Sequence, residues 1–429
     1  MQELKEHFFP RIKETFYSGK LPNGLQVYLI PKADFNEYSC YVMTRFGALD
    51  TSVKGGEGTH KEYPLGLAHF LEHKLFELED GKDLFKELSN QGVDSNAFTG
   101  FDKTCYFFST TDKGQFGENM RLFLDSLLST SFTEESIERE KKIIEQEIAM
   151  YQDDPDYRLY QGILSNLFPA TALAEDIAGT KDSIQKITLT DLQENHQFFY
   201  QPTNMTLLLV GDFDAPSMFE ILKEFHEDDS KTDKIQKPNS EVEYFPVVKT
   251  KSIYMDVAQS KLAIGYRGQK FQNSLLLKQK IALKLFFTMV LGWTSKTYQN
   301  LYESGQIDDS FDIEIEIQNQ FQYLILSLDT AEPIAMSNRI RQYLKNLKNT
   351  SDLSATHLQT VKSELYGDFI RSLDDVDYLA SQFVSYLGDK ESYFDFPDIL
   401  ADLTLKDVVK IGKEFLQTAD VADYIISPK

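Results

Sequence analysis

The stretch "LAHFLEHKLFE", residues 67–77, sets both the fold and the chemistry expected of this chain. Leu67, Phe70, Leu71, Leu75 and Phe76 recur at helical spacing, so one face of a helix is apolar. His69 and His73 lie one turn apart in a chain with only seven histidines. Residues four apart share a helix face, and two neutral imidazoles there can hold one divalent ion, with zinc well suited to nitrogen ligands. Glu72 sits directly before His73, beside the same site, where it can take a proton from water. A His-x-x-x-His pair by itself is common on amphipathic helices and usually reflects packing. The interposed glutamate and the flanking Gly66 distinguish this one.

Working outward, 429 residues exceed one ordinary domain, since about 150 residues per domain is the usual guide. Two large domains or three smaller ones are expected, and 41% hydrophobic residues with 32 Phe and 22 Tyr supply more than one core. Acidic residues outnumber basic ones 67 to 44, a net charge of -23. That balance argues against nucleic-acid binding, which needs a basic surface, and fits solubility or attraction of cationic peptides. Cys40 and Cys105 fall in different predicted strands without CxxC spacing, which excludes a disulfide framework and predicts buried free thiols. The start, MQELKEHFFPRIKETFYSG, lacks the apolar core of a secretory signal. No run of about 18 apolar residues occurs, so no membrane span and a cytoplasmic location are expected.

The segment 20–32 reads as a hairpin turning at Asn23-Gly24, and 37–46 as an apolar strand. A loop over 47–63 leads into the histidine helix. A short helix (82–91), paired strands SNAFTGF and TCYFFST, and helices near 114–130 and 133–152 follow, then a buried strand over 203–213. The polar run EDDSKTDKIQKPNSEV (227–242) is the candidate linker, giving expected boundaries of 1–228, 229–244 and 245–429. Beyond it the order of elements repeats: strands near 251–267, a helix from 275, a hairpin at 311–329, more helices and a final strand VADYIIS. Two structural duplicates are expected, without a strong residue-level repeat.

His-x-x-Glu-His is the inverted zinc-peptidase signature. With it, SNAFTGFDKTCYFF (95–108), EREKKIIEQEIAMYQDDP (138–155), DIAGT (176–180) and YQPTNMTLLLVGDFD (200–214) make the chain resemble the pitrilysin family, which includes insulin-degrading enzyme and the mitochondrial processing peptidase. The resemblance is dense over 20–215 and architectural beyond. It implies an α+β fold of two similar halves, each a mostly antiparallel sheet flanked by helices, closing as a clam shell. It also implies a zinc metalloendopeptidase with one zinc per chain.

A catalytic zinc needs a third protein ligand, and the acidic helix offers Glu138, Glu140, Glu145 and Glu147. The resemblance assigns that role to Glu147 and a supporting role to Glu140, two turns earlier on the same face. It implies that a peptide adds as a strand along Ser95–Phe98, with Asn96 meeting substrate carbonyls and Ala97 and Phe98 beside the cut bond. The family also supplies an Arg and a Tyr from the second half to steady the oxyanion. Here 291–311 contains no arginine, Tyr302 stands where the Arg is expected, and Asp308 or Asp309 near the expected Tyr. The implied partner is a paralogue lacking the zinc motif but carrying Arg and Tyr, with a homodimer as the alternative. A non-catalytic scaffold or peptide-binding subunit is the competing function, although it would have no need of Glu72.

Overall fold

The computed structural model describes residues 4–54, 60–78, 81–224, 242–270, 276–347, 350–388 and 391–429. In the first half the strands are β1 (Lys5–Phe9), β2 (Glu14–Lys20), β3 (Gln26–Pro31), β4 (Tyr38–Thr44), β5 (Ser52–Lys54), β6 (His60–Glu62), β7 (Asp94–Thr99), β8 (Thr104–Thr110) and β9 (Met205–Gly211). The helices are α1 (Leu67–Lys74), α2 (Leu84–Asn90), α3 (Lys113–Leu128), α4 (Glu134–Asp153), α5 (Pro155–Leu167), α6 (Lys181–Lys186), α7 (Leu189–Phe199) and α8 (Ala215–Glu224). The second half adds β10 (Thr250–Met255), β11 (Lys261–Arg267), β12 (Asp312–Ile317), β13 (Gln322–Asp329) and β14 (Asp420–Pro428). Its helices are α9 (Leu276–Leu291), α10 (Lys296–Glu303), α11 (Pro333–Lys345), α12 (Ala355–Ser372), α13 (Val376–Ser385), α14 (Phe396–Asp402) and α15 (Leu405–Thr418).

The two sheets repeat one topology. The first runs β1-β2-β3-β9-β4-β8-β7 and the second β10-β14-β11-β13-β12. Removing β1 and β2 makes the orders superimposable, down to a parallel pair at one side (β3 with β9, β10 with β14) and antiparallel pairs elsewhere. The fold is thus α+β with two similar halves.

The division is not one cut along the chain. One compact unit comprises 1–148, 176–240 and 371–385, and the other 149–175, 241–370 and 386–429. Helix α13 therefore belongs to the first unit and α5 to the second, an exchange that falls inside the single-cut halves 1–228 and 245–429. Of the expected linker 229–244, residues 229–241 lie outside the described residues.

The exchange explains why the central strands are apolar on both faces. Strands β4 and β9 are buried along their whole length, because α13 covers the face opposite the main helical layer. Phe383 of α13 meets the rings of Phe16 and Tyr28, and Asp377 accepts from the Ser39 hydroxyl at 2.6 Å. In the second unit, α5 packs on β14 and β11 so closely that a Cβ on Gly162 would lie 2.3 Å from the Tyr424 ring. The region 47–63 is not simply a loop, since β5 and β6 pair there as a short hairpin. Cys40 and Cys105 are buried free thiols, and burial pushes the Cys105 thiol up to about 12. Among the described residues no helix is long and apolar enough to cross a membrane.

Candidate metal centre

Helix α1 is short and two-sided. Leu67, Ala68, Phe70 and Leu71 are buried, which turns His69, Glu72 and His73 to the other side. Gly66 starts the helix with φ 88, a left-handed conformation natural to glycine, and a Cβ there would lie 2.4 Å from the Ala178 carbonyl oxygen. Lys74 is fully buried and holds α1 against α4 by donating to Ser136 Oγ at 2.9 Å and to the Glu77 carboxylate.

Helix α4 buries Ile137, Ile144 and Ile148 and brings Glu140 and Glu147, two turns apart, to α1. Glu147 Oε1 is 3.6 Å from His69 Nε2, and Glu147 Oε2 is 3.4 Å from His73 Nε2. The ligand atoms of His69, His73 and Glu147 all fall within 4.8 Å of one another. Tetrahedral zinc with bonds near 2.0–2.1 Å requires donors roughly 3.3 Å apart, so this two-nitrogen, one-oxygen set fits the ion with small adjustments. His73 Nδ1 meets Glu140 Oε1 at 2.9 Å, which aims Nε2 at the site. Among the described residues His69 has no such support: its Nδ1 is buried without a hydrogen-bond partner.

The electrostatics follow from the same contacts. Burial opposes the charge on His73, but Glu140 and Glu147 outweigh it and push its pKa up to about 9. Burial likewise opposes charge on Glu147, and the two imidazoles overcome that penalty, holding its carboxyl far below the usual range. Glu138 and Glu145, the other acids offered by α4, pair elsewhere: Glu138 with Lys141 and Glu145 with Gln185.

Glu72 lies beside this group, its Oε2 accepting from the Thr99 hydroxyl at 2.5 Å. A cavity of about 420 Å³ adjoins it, lined by Glu72, His73, Phe76, Phe85, Asn96 and Arg139 among others. Among the described residues strand β7 ends the sheet and has one pairing neighbour, β8. Of the residues expected to meet substrate, Asn96 faces the cavity and its Oδ1 accepts from the Ala97 N–H at 2.8 Å. Ala97 is partly buried and packs against the core, and Phe98 is exposed with its ring 6.5 Å from Phe107. Thr99, Lys74 and Phe85 were not singled out from sequence. Strand alternation, which sets Thr99 on the same face as Ala97, is the one local signal it carries.

In the second unit Tyr302 is an exposed residue of α10, stacked at 5.9 Å on Tyr298. Asp308 accepts from the Ser310 N–H and hydroxyl.

Residues 43–181 match the family described as insulinase (peptidase family M16), and 186–365 match the peptidase M16 inactive domain. The uncharacterized zinc protease YmfH of Bacillus subtilis is 35% identical over 96% of both chains. The zinc protease PqqE of Helicobacter pylori is 24% identical, covering 96% of this chain and 92% of its own. A crystal structure of a protease from Helicobacter pylori shares the fold with a TM-score of 0.82 at 22% identity, covering 99% of this chain and 100% of that one.

Proposed function

Because the chain belongs to the insulinase (M16) family of peptidases, we propose that it is a zinc-dependent endopeptidase. The convergence of His69 Nε2 and His73 Nε2 on Glu147, with Glu72 alongside, carries this reading. His69, His73 and Glu147 hold one zinc, and Glu140 keeps His73 oriented. Bound there, the ion supplies a Lewis acid for the scissile carbonyl and lowers the pKa of water. Glu72 takes the proton from the attacking water and returns it to the nitrogen of the leaving amine. The peptide, an unfolded segment or short chain, lies along β7 as an added strand in an enclosed cavity. Backbone pairing there supplies affinity with little demand on sequence, while Asn96, Ala97 and Phe98 shape the binding strand.

The reading includes a partner. Loss of one oxyanion donor typically costs on the order of a hundred- to a thousandfold in rate, and 291–311 lacks the arginine. The chain acts as the zinc-bearing subunit of a cytoplasmic heterodimer, with a homologue that lacks the metal motif and supplies Arg and Tyr. In a homodimer, Tyr302 or another residue would take that role.

The test measures zinc content and cleavage of a quenched peptide mixture by the purified chain, alone and with a homologue from the same genome. One zinc per chain, slow turnover alone and faster turnover in the mixture are expected. A chain that binds no zinc refutes the peptidase reading. Full activity of the lone chain, unchanged by any homologue, refutes the heterodimer.

A further inference from the structure

The base needs an anchor as well as a neighbouring metal site. Among the described residues Glu72 makes one hydrogen bond, the 2.5 Å contact from Thr99 Oγ1. The direction of that bond is set by its surroundings. Thr104 Oγ1, 3.5 Å from Thr99 Oγ1, gives its proton to the Phe46 carbonyl at 2.8 Å. The single proton of Thr99 goes to the nearer, charged oxygen, a charge-assisted hydrogen bond.

The backbone of the same residue faces the other way. Gly100 N–H bonds the Lys103 carbonyl at 2.8 Å in the turn between β7 and β8, while Ala97 N–H meets Asn96 Oδ1. In an antiparallel ladder the bonded sides alternate, so the N–H and C=O groups of Ser95, Ala97 and Thr99 face the open edge of β7. Thr99 therefore presents its backbone where a peptide strand would add and its hydroxyl to the glutamate that would act on that peptide.

We propose that Thr99 is the positioning residue for Glu72, tying the carboxylate to the strand that registers the substrate. This rests on the peptidase reading above. Without the bond the carboxylate is free to turn about its terminal torsion, and a displacement near 1 Å can cost on the order of a hundredfold in rate.

Three variants test it: Thr99→Val keeps the β-branched shape and the strand, Thr99→Ser keeps the hydroxyl, and Glu72→Leu removes the acceptor. In the zinc-loaded assembly that cleaves the quenched peptide, Thr99→Val is expected to lower kcat about 10- to 100-fold with KM and zinc content unchanged. Thr99→Ser should restore most of the turnover. Wild-type turnover in the Val variant, or a Ser variant as slow as Val with zinc intact, overturns the proposal. A second measurement needs neither metal nor activity. In urea unfolding of the zinc-free chain, Thr99→Val and Glu72→Leu should shift the midpoint non-additively, because each breaks the same bond. Additive shifts overturn the contact whatever the kinetics give. If Glu72→Gln cleaves as wild type does, the peptidase reading fails instead, and the unfolding cycle still judges Thr99.

Discussion

Strand β7 closes one side of the first sheet beside α1, and β12 closes the same side of the second sheet beside α9. Helix α1 has eight residues and turns His69, Glu72 and His73 away from the core. Helix α9 has sixteen, with Leu277, Ile281, Ala282, Leu283, Leu285, Phe286 and Phe287 among those buried. Its charged positions are lysines: Lys280 reaches Glu316 at 3.7 Å, and Lys284 is exposed. On β12, Asp312, Glu314 and Glu316 alternate with Ile313, Ile315 and Ile317. Glu314 is held with the Tyr323 hydroxyl 3.5 Å away, and Tyr323 in turn meets Tyr160 at 2.7 Å. One topology thus supports a donor cluster in one copy and a packed apolar helix in the other. Sheet order fixes where a site can be built, and the face a helix turns outward decides whether one is.

The strongest way to break this contrast is to exchange the demands on the two helices. His73→Ala should abolish zinc binding and lower hydrolysis by about a thousandfold or more, whereas Lys280→Ala and Lys284→Ala should leave zinc stoichiometry and turnover intact. Metal analysis with peptide cleavage reads both, and zinc surviving in His73→Ala would remove the first half's claim to the site. Next in size, Phe286→Ala on α9 should cost about 3–5 kcal/mol in chemical denaturation, since the ring is buried and packed at Gly412. A loss below about 1 kcal/mol would show α9 to be less tightly packed than its burial implies.

Glu140→Gln should weaken zinc about 10- to 100-fold in competition with a chelator while the fold persists, because His73 Nδ1 loses its charged partner. Unchanged affinity would mean that Glu140 does not orient the ligand. The smallest effects lie in pH dependence, and the two halves should differ in window. In zinc-free protein, His73 is raised from an ordinary value near 6.5 to about 9. Its contribution to stability is fully present below about 6.5 and is lost as pH rises through 9. Glu147 is depressed, so its contribution is present above the ordinary carboxyl value and is lost only in strong acid. Burial raises Glu314 from 4.5 to about 7, so stability is lost between those values as it ionises. Glu314→Gln should therefore raise the midpoint of urea unfolding at pH 8 and leave it unchanged near pH 4. An equal gain at both values would contradict the burial argument.

Much of this molecule was legible in its residues because the signals were local. The helical spacing of Leu67, Phe70 and Leu71 leaves one side for His69, Glu72 and His73, and α1 forms as expected. Asn23-Gly24 marks the turn between β2 and β3, with Gly24 at φ 96, and the hairpins β7–β8 and β12–β13 fall within a few residues of their expected bounds. Choosing Glu147 over Glu138 and Glu145 was beyond local pattern. All three lie on one acidic helix, and which one meets the histidines depends on how α4 turns against α1.

The sequence by itself determined the outward face of α1, the duplicated order of elements and the acidic surplus, since each follows from periodicity or counting. The tertiary structure decided the rest. It exchanged α13 and α5 between the two units, which no stretch of chain announces, because an apolar helix face is satisfied by any apolar sheet that reaches it. It joined Thr99 to Glu72 across 27 positions. Single hydrogen bonds of that kind depend on where two elements come to rest, and the packing of side chains between them settles that position.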